Sequence, residues 1–255
     1  MPVDISEDTF ASSNTTQSRT IRAIADDEGT EDEQSQQKTS CTFFRLFFEE
    51  GRQVLKQRVI YNQSFSQNTR IDQAGRVVLI GGPGQGKTTV GQFACQLYRV
   101  ELLRATNETF SPEVTQAIER IENMSDGLPP VCARRYPLRV DLKHFAASLA
   151  ATGEDNTKNL FDFLVKRISS RTNSTVSPDS FRRWLGGFPW VLVLDGLDEV
   201  PASSNRQQVM QAVRDFISIE AHGVDADLLV LATTRPQGYS DEFDPSLYRH
   251  LPLAP

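Results

Sequence analysis

The stretch Gly81-Gly82-Pro83-Gly84-Gln85-Gly86-Lys87-Thr88 follows a short apolar run and precedes a helical pattern. It matches GxxxxGK[ST] at every fixed position. Glycines let a backbone approach an anion closely, and the first amides of the following helix then point toward that anion. Lys87 can reach the outer phosphates, while the Thr88 hydroxyl can bind magnesium. We therefore expect this loop, with the adjoining Thr89, to bind the phosphates of a nucleotide.

Strand and helix patterns alternate along the chain on both sides of the loop. Apolar or β-branched runs predict strands, and a 3.6-residue apolar period predicts helices. The strand patterns cover residues 77–80, 136–141, 190–194, 228–232 and 248–253, and the helical patterns cover 88–104, 113–122, 160–168 and 205–217. Unbroken apolar strands need cover on both faces, and Pro137 limits its strand to an edge or a strand start. The pattern predicts an α/β fold with a parallel sheet flanked by helices on both faces.

Three carboxylates, Asp195, Asp198 and Glu199, follow the most apolar strand pattern. In an open parallel sheet, ligands bind beyond the carboxyl ends of the strands, where the glycine-rich loop also lies. Asp195 is therefore predicted to hold Mg²⁺, directly or through water. Asp198 or Glu199 could orient and deprotonate an attacking water. A polar turn after a core strand explains these acids equally well alone, but their pairing with the loop favours the metal site.

A second strand pattern becomes polar at its end, in the sequence Thr233-Thr234-Arg235. Because it should end beside the loop and the acids, Thr233 or Thr234 could hydrogen-bond the attacking water. Arg235 could sense or stabilise charge on the γ-phosphate. Taken alone, an arginine in such a turn is commonly a solvated residue. Together with the other two motifs, it is predicted to take part in catalysis with Asp198 and Glu199.

The net charge of −6 comes from the amino-terminal residues 1–40, where nine acids face three bases. This leaves 24 acids and 24 bases over residues 41–255. Residues 1–40 carry few large apolar side chains and are predicted to be a disordered acidic tail. The balanced remainder gives no argument for nucleic-acid binding, so the adjacent pairs Arg134-Arg135 and Arg182-Arg183 are predicted to be solvated.

Residues 41–75 are predicted to form a helical lead-in and a polar linker before a nucleotide-binding domain over residues 76–255. An amphipathic pattern over residues 42–60, interrupted at Gly51, places Phe43, Phe47, Leu55 and Val59 on its inner face. Trp184 and Trp190 are both predicted to pack in the core. Three cysteines form no paired framework, and no apolar run suits a membrane helix or a signal peptide. A cytoplasmic protein that is not inserted in a membrane is expected.

Over residues 76–255 the chain resembles the NACHT branch of the STAND signal-transduction P-loop NTPases, bacterial members in particular. The resemblance lies in GGPGQGKTT, followed by GQFACQLYR, and above all in Asp195-Gly196-Leu197-Asp198-Glu199. Many other P-loop ATPases have an acid directly after the first aspartate. Here that position is Gly196, and the acids are displaced to 198 and 199. The resemblance implies a five-stranded sheet of order 5-1-4-3-2 and identifies Arg235 with the sensor that ends the fourth strand.

Relatives of this type act as slow ATP-hydrolysing switches. By resemblance, ADP would hold a closed monomer, and exchange for ATP on sensing a trigger would permit self-association through the NTPase domain and activate an effector. Bacterial relatives commonly serve in antiphage defence. Complete STAND proteins continue into helical and winged-helix domains, so a chain ending at Pro255 is expected to be a fragment or a truncated product. The trigger and the effector have no signal in the sequence.

Two alternatives compete with a magnesium-dependent ATPase. The first is a nucleotide-binding scaffold or regulatory protein with negligible hydrolysis. The second is another P-loop enzyme, but the NKxD motif of small GTPases and the LSGGQ-like signature of ABC ATPases are both absent from the sequence. The Arg134-Arg135 pair is too little for the arginine-rich lid of a nucleoside kinase. ATP or ADP with Mg²⁺ is therefore the expected ligand.

Overall fold

The computed structural model describes residues 42–52, 54, 75–131, 133–151, 157–201 and 205–253. The predicted acidic tail and residues 55–74 of the predicted linker lie outside these ranges. Residues 42–52 are helical and are called α1. The strands are β1 (Arg76–Ile80), β2 (Tyr136–Asp141), β3 (Trp190–Asp195), β4 (Leu228–Thr234) and β5 (Arg249–Pro252). The other helices are α2 (Lys87–Arg104), α3 (Pro112–Met124), α4 (Leu142–Ala150), α5 (Leu160–Thr172), α6 (Pro178–Gly187) and α7 (Arg206–Asp215), which continues as a π-helical turn over Phe216–Ala221.

The five strands form one parallel sheet in the order β2-β3-β4-β1-β5. Read from the β5 edge, this order is 5-1-4-3-2. All six residues of β3 are buried, which explains its unbroken apolar run. Strand β2 forms the opposite edge, so Pro137 can lie within it although proline lacks the amide hydrogen of a strand residue. The predicted α/β fold with a parallel sheet is confirmed.

Alternate side chains of the inner strands enter two apolar clusters on opposite faces of the sheet. One cluster joins α1 and α2 to Val77, Leu79, Val191, Val193, Leu229 and Leu231. The other joins α4, α5, α6 and α7 to Val78, Leu192, Leu194, Val230 and Ala232. Each fully buried valine or leucine contributes about 1.5–3 kcal/mol. The sheet is therefore flanked by helices on both faces, as predicted, and the strand ends beyond β1, β3 and β4 are rigidly placed.

Helix α1 is fixed to the rest of the structure by aromatic packing and by ion pairing. Phe43 and Phe47 are buried as predicted, and Phe44 and Phe48 are buried with them. At the end of the helix, the Glu50 carboxylate pairs with Arg249 at 2.8 Å and accepts a hydrogen bond of 3.3 Å from the Gly75 amide. The predicted interruption at Gly51 is wrong, because the helix runs on through residue 52. The predicted inner positions Leu55 and Val59 lie outside the described residues.

The prediction that Arg135 is solvated is wrong, because its side chain is fully buried. Its guanidinium pairs with Asp227 and donates to the carbonyl oxygens of Trp190 at 3.2 Å and Gly51 at 3.1 Å. A buried charge of this kind is tolerated only when it is paired and hydrogen-bonded. Arg135 therefore connects α1 to the beginnings of β3 and β4.

Two helices, α4 and α6, were not predicted, and polar caps explain where both begin. The Asp141 carboxylate accepts a hydrogen bond of 3.0 Å from the His144 amide, and the Ser177 hydroxyl accepts one of 3.1 Å from the Ser180 amide. On α6, Trp184 is 36% exposed, so its predicted core position is wrong, whereas Trp190 is buried as predicted. No helix in the described part of the chain combines the length and the apolar character needed to cross a lipid bilayer.

Candidate functional site

The glycine-rich loop joins the end of β1 to the beginning of α2. The Gly81 amide donates to the Thr234 carbonyl at 3.1 Å, which fixes the start of the loop beside the end of β4. The Gly82 amide donates to the side-chain oxygen of Gln85, so Gln85 folds back across the loop. Gly86 is the N-cap of α2, with a left-handed φ of 73° that suits glycine, and no side chain caps this helix. The first amides of α2 therefore have no partner within the helix and can face an anion.

The Lys87 ammonium lies across the loop. Its Nζ donates to the carbonyl oxygens of Gly81 at 2.7 Å and Gly82 at 2.8 Å. Burial lowers the pKa of Lys87, and the charge of Arg235 lowers it further, while Asp198 and Asp195 act in the opposite direction. Three of the four charged groups predicted for the site at the ends of β3 and β4 therefore act electrostatically on Lys87, namely Asp195, Asp198 and Arg235.

Asp195, the last residue of β3, is the centre of a hydrogen-bonded group of side chains from four elements. Its Oδ1 accepts from Thr233 of β4 at 2.7 Å and from Thr88 of α2 at 3.2 Å. Its Oδ2 pairs with Arg139 of β2 at 2.6 Å. The Asp195 side chain is only 5% exposed, so these contacts form in a largely dry environment where charge interactions are strengthened. The structure thus brings the two predicted metal ligands, Thr88 and Asp195, into direct contact.

Gly196 redirects the chain after β3. Its φ of 77° lies in the left-handed region, and its amide donates to the Thr233 hydroxyl at 2.9 Å. The 3₁₀ turn Leu197–Glu199 follows immediately and carries both displaced acids. The Thr233 hydroxyl donates its hydrogen to Asp195. Through these two contacts Thr233 orients the acid and the turn, and its predicted contact with the attacking water stays a prediction.

The two acids of the 3₁₀ turn have different surroundings. Asp198 is paired with Arg235 at 2.6 Å, and its side chain is 10% exposed. Glu199 is 47% exposed and lies 3.9 Å from the Lys143 ammonium. The structure therefore joins two predicted catalytic residues, Asp198 and Arg235, in one ion pair. The Glu199 carboxylate is more accessible to water and to a ligand.

The side chains at this site fit a magnesium ion in donor type and position. Thr88 and Asp195 supply a hydroxyl and a carboxylate oxygen separated by 3.2 Å, and Mg²⁺ prefers such oxygen ligands while keeping several waters. Within the described ranges, no group of three or more His, Cys, Asp or Glu side chains could hold a metal by itself. The other ligands would therefore come from water and from phosphate oxygens.

Arg139 and Lys143 are the residues of this site that the sequence reasoning missed. Arg139 contacts Asp195, and Lys143 lies beside Glu199. The only available signal was the position of Arg139 near the end of a strand pattern whose neighbouring strand ends in Asp195. The sequence does not show that β2 pairs with β3, so it does not identify Asp195 as the partner of Arg139.

Comparisons with known proteins identify no family. No family model matches the chain, and no curated protein matches its sequence. What bears on function is the arrangement of side chains beyond the carboxyl ends of β1, β3 and β4.

Proposed function

We propose that the chain is an ATP-binding P-loop NTPase module of the NACHT type, with slow magnesium-dependent hydrolysis. The observation that carries the proposal is the hydrogen-bonded group of Thr88, Asp195 and Thr233, which meets at the start of the helix that also carries Lys87. An anion-binding loop and a metal-type ligand pair in one place are what a nucleoside triphosphate with Mg²⁺ requires. A solvated turn after β3 would not explain why side chains of α2 and β4 both donate to the Asp195 carboxylate.

In this proposal, the loop amides over residues 84–89 hold the phosphates, and Lys87 moves from the Gly81 and Gly82 carbonyls to the outer phosphate oxygens. When bound, Mg²⁺ would neutralise charge on the phosphates. Glu199 is the favoured general base, because its carboxylate is accessible while Asp198 is paired. Arg235, held by Asp198, is positioned to respond to charge at the γ-phosphate.

The biological setting is proposed from the resemblance alone. The module would be a cytoplasmic switch, closed with ADP and able to self-associate with ATP, in antiphage defence or another signalling pathway. Its partners would be nucleotide, further copies of itself in a full-length context, a trigger and an effector.

One observation favours a second candidate, the nucleotide-binding scaffold with negligible hydrolysis. Asp198 and Arg235 neutralise each other, and the remaining acid, Glu199, is half exposed. A general base works best when it is held against the water that it deprotonates. In the scaffold, nucleotide and Mg²⁺ would bind as above, but the third phosphate would not be cleaved at a useful rate.

Phosphate release from Mg-ATP separates the two candidates. We expect Glu199→Gln to lower the turnover rate by about 100-fold, because the variant keeps the shape of the side chain and removes the base. Asp198→Asn should have a smaller effect through release of Arg235. Glu119→Gln, an exposed change on α3, is the matched control and should leave the rate unchanged. Equal background rates in the wild type and in all three variants would favour the scaffold.

A further inference from the structure

Arg139 and a bound magnesium ion would need the same carboxylate. Arg139 Nη2 donates to Asp195 Oδ2 at 2.6 Å, and the Thr88 hydroxyl, the other metal ligand, donates to Oδ1 at 3.2 Å. Both contacts are made to the Asp195 carboxylate, which is also the proposed ligand of the magnesium ion. A divalent ion placed there would bring two further positive charges against the guanidinium in a region of low exposure.

The surroundings of Arg139 contain an excess of positive charge. Burial and the charges of Arg171, Arg139 and Arg99 lower the pKa of Arg167 to about 10, against the opposite effect of Asp141. Arg99, on α2, also lies within range of Arg139 and Arg171. These arginines come from α2, β2 and α5, so the fold itself brings them together beside the metal ligand. The Asp141 carboxylate, which also caps α4, offsets part of this charge.

The position of Asp195 does not depend on Arg139 alone. Thr233 holds Oδ1 at 2.7 Å, and the Thr233 hydroxyl is itself fixed by the Gly196 amide. Arg139 contributes one hydrogen bond, and its buried Nε has no hydrogen-bond partner in the described part of the chain. Removing Arg139 would therefore free a metal ligand while leaving that ligand oriented.

We propose that Arg139 is a competing cation at the metal site: it occupies Asp195 when magnesium is absent and raises the Mg²⁺ concentration needed to assemble the nucleotide complex. Magnesium would then enter efficiently only with the phosphates, whose negative charge offsets the arginines. This inference rests on the proposed function, since it concerns the same Thr88 and Asp195 ligands. A side chain of β2 would thus determine how much Mg²⁺ the site requires.

The test is ADP binding by calorimetry on the full chain, over Mg²⁺ concentrations from a chelator-treated sample to millimolar. We expect Arg139→Gln to reduce the half-saturating Mg²⁺ concentration about tenfold, because a charge-assisted hydrogen bond to the metal ligand is lost. Arg139→Met should change it in the same direction. Arg167→Gln is the matched control: it removes one charge of the same cluster without touching Asp195, and it should shift the Mg²⁺ dependence much less.

Two results would overturn the proposal. If Arg139 served to position Asp195, both Arg139 variants would need more Mg²⁺ than the wild type. If Arg139 acted only through the total positive charge of the cluster, Arg167→Gln would lower the half-saturating Mg²⁺ concentration as much as the two Arg139 variants do. A thermal melt of each variant without nucleotide checks that it is folded. A wild type that binds no ADP at any Mg²⁺ concentration would instead refute the proposed function, so the two failures are distinguishable.

Discussion

Replacing Lys87 with alanine is expected to weaken ADP and ATP binding by at least about 100-fold, since two charge-assisted hydrogen bonds to phosphate would be lost. In the structure the ammonium lies at 2.7 and 2.8 Å from two loop carbonyls, so it is already located over the proposed phosphate position. Burial lowers the pKa of Lys87, which means that the side chain is less strongly hydrated than a surface lysine and loses less on meeting a phosphate. Calorimetric titration with Mg-ADP measures the change.

Lys143→Ala is the control for that experiment, because it also removes one positive charge near the acids but belongs to an exposed side chain on α4. Its ADP affinity should stay within a few-fold of the wild type. Thermal unfolding must show that the Lys87 variant is folded, because the two carbonyl contacts are lost as well. A folded Lys87→Ala protein that binds ADP with wild-type affinity would contradict phosphate binding by Lys87.

Arg135→Met is expected to lower the free energy of unfolding by about 3–5 kcal/mol. The substitution keeps most of the volume of the arginine stem but leaves the Asp227 carboxylate buried without its ion-pair partner. It also removes the donors to the Gly51 and Trp190 carbonyls, and with them one of the links from α1 to the sheet. Urea denaturation followed by circular dichroism gives the difference in unfolding free energy.

The neighbouring residue provides a control for this substitution. Arg134 is exposed, and Arg134→Met should change the free energy of unfolding by no more than about 0.5 kcal/mol. Similar unfolding curves for both variants would show that the buried ion pair contributes little, and that the phenylalanines and Glu50 are enough to hold α1.

The parts of the fold that the sequence predicted well are those with a strong local cause. An unbroken apolar run such as β3 can be buried only inside a sheet covered on both faces, and a glycine-rich stretch between an apolar run and a helical pattern indicates the turn from a strand to a helix. The helices α4 and α6 were missed because they have only 9 and 10 residues, fewer than the window of about 11–18 residues over which a helical apolar period is recognised. The start of each helix depends on a single hydrogen bond, which the Asp141 or Ser177 side chain accepts from a helix amide.

The candidate site shows the same division between local and tertiary causes. Gly81–Thr88, Asp195 and Arg235 could be chosen because each follows a strand pattern. Arg135 and Arg139 could not be assigned, because adjacent arginines and a polar strand residue have the same sequence signal whether they meet water or a buried carboxylate. The pairing of β2 with β3 brings Arg139 to Asp195, and Arg135 is enclosed by groups from α1 and from the starts of β3 and β4.

The central claim is that Thr88 and Asp195 hold a metal ion against phosphates bound by the glycine-rich loop. A crystal structure of the chain with ADP and Mn²⁺, in which the metal is located by its anomalous scattering, tests this claim most directly. We expect the β-phosphate to accept hydrogen bonds from loop amides, with the anomalous peak beside the Thr88 hydroxyl and the Asp195 carboxylate. A nucleotide bound elsewhere, or a peak away from both side chains, would contradict the account.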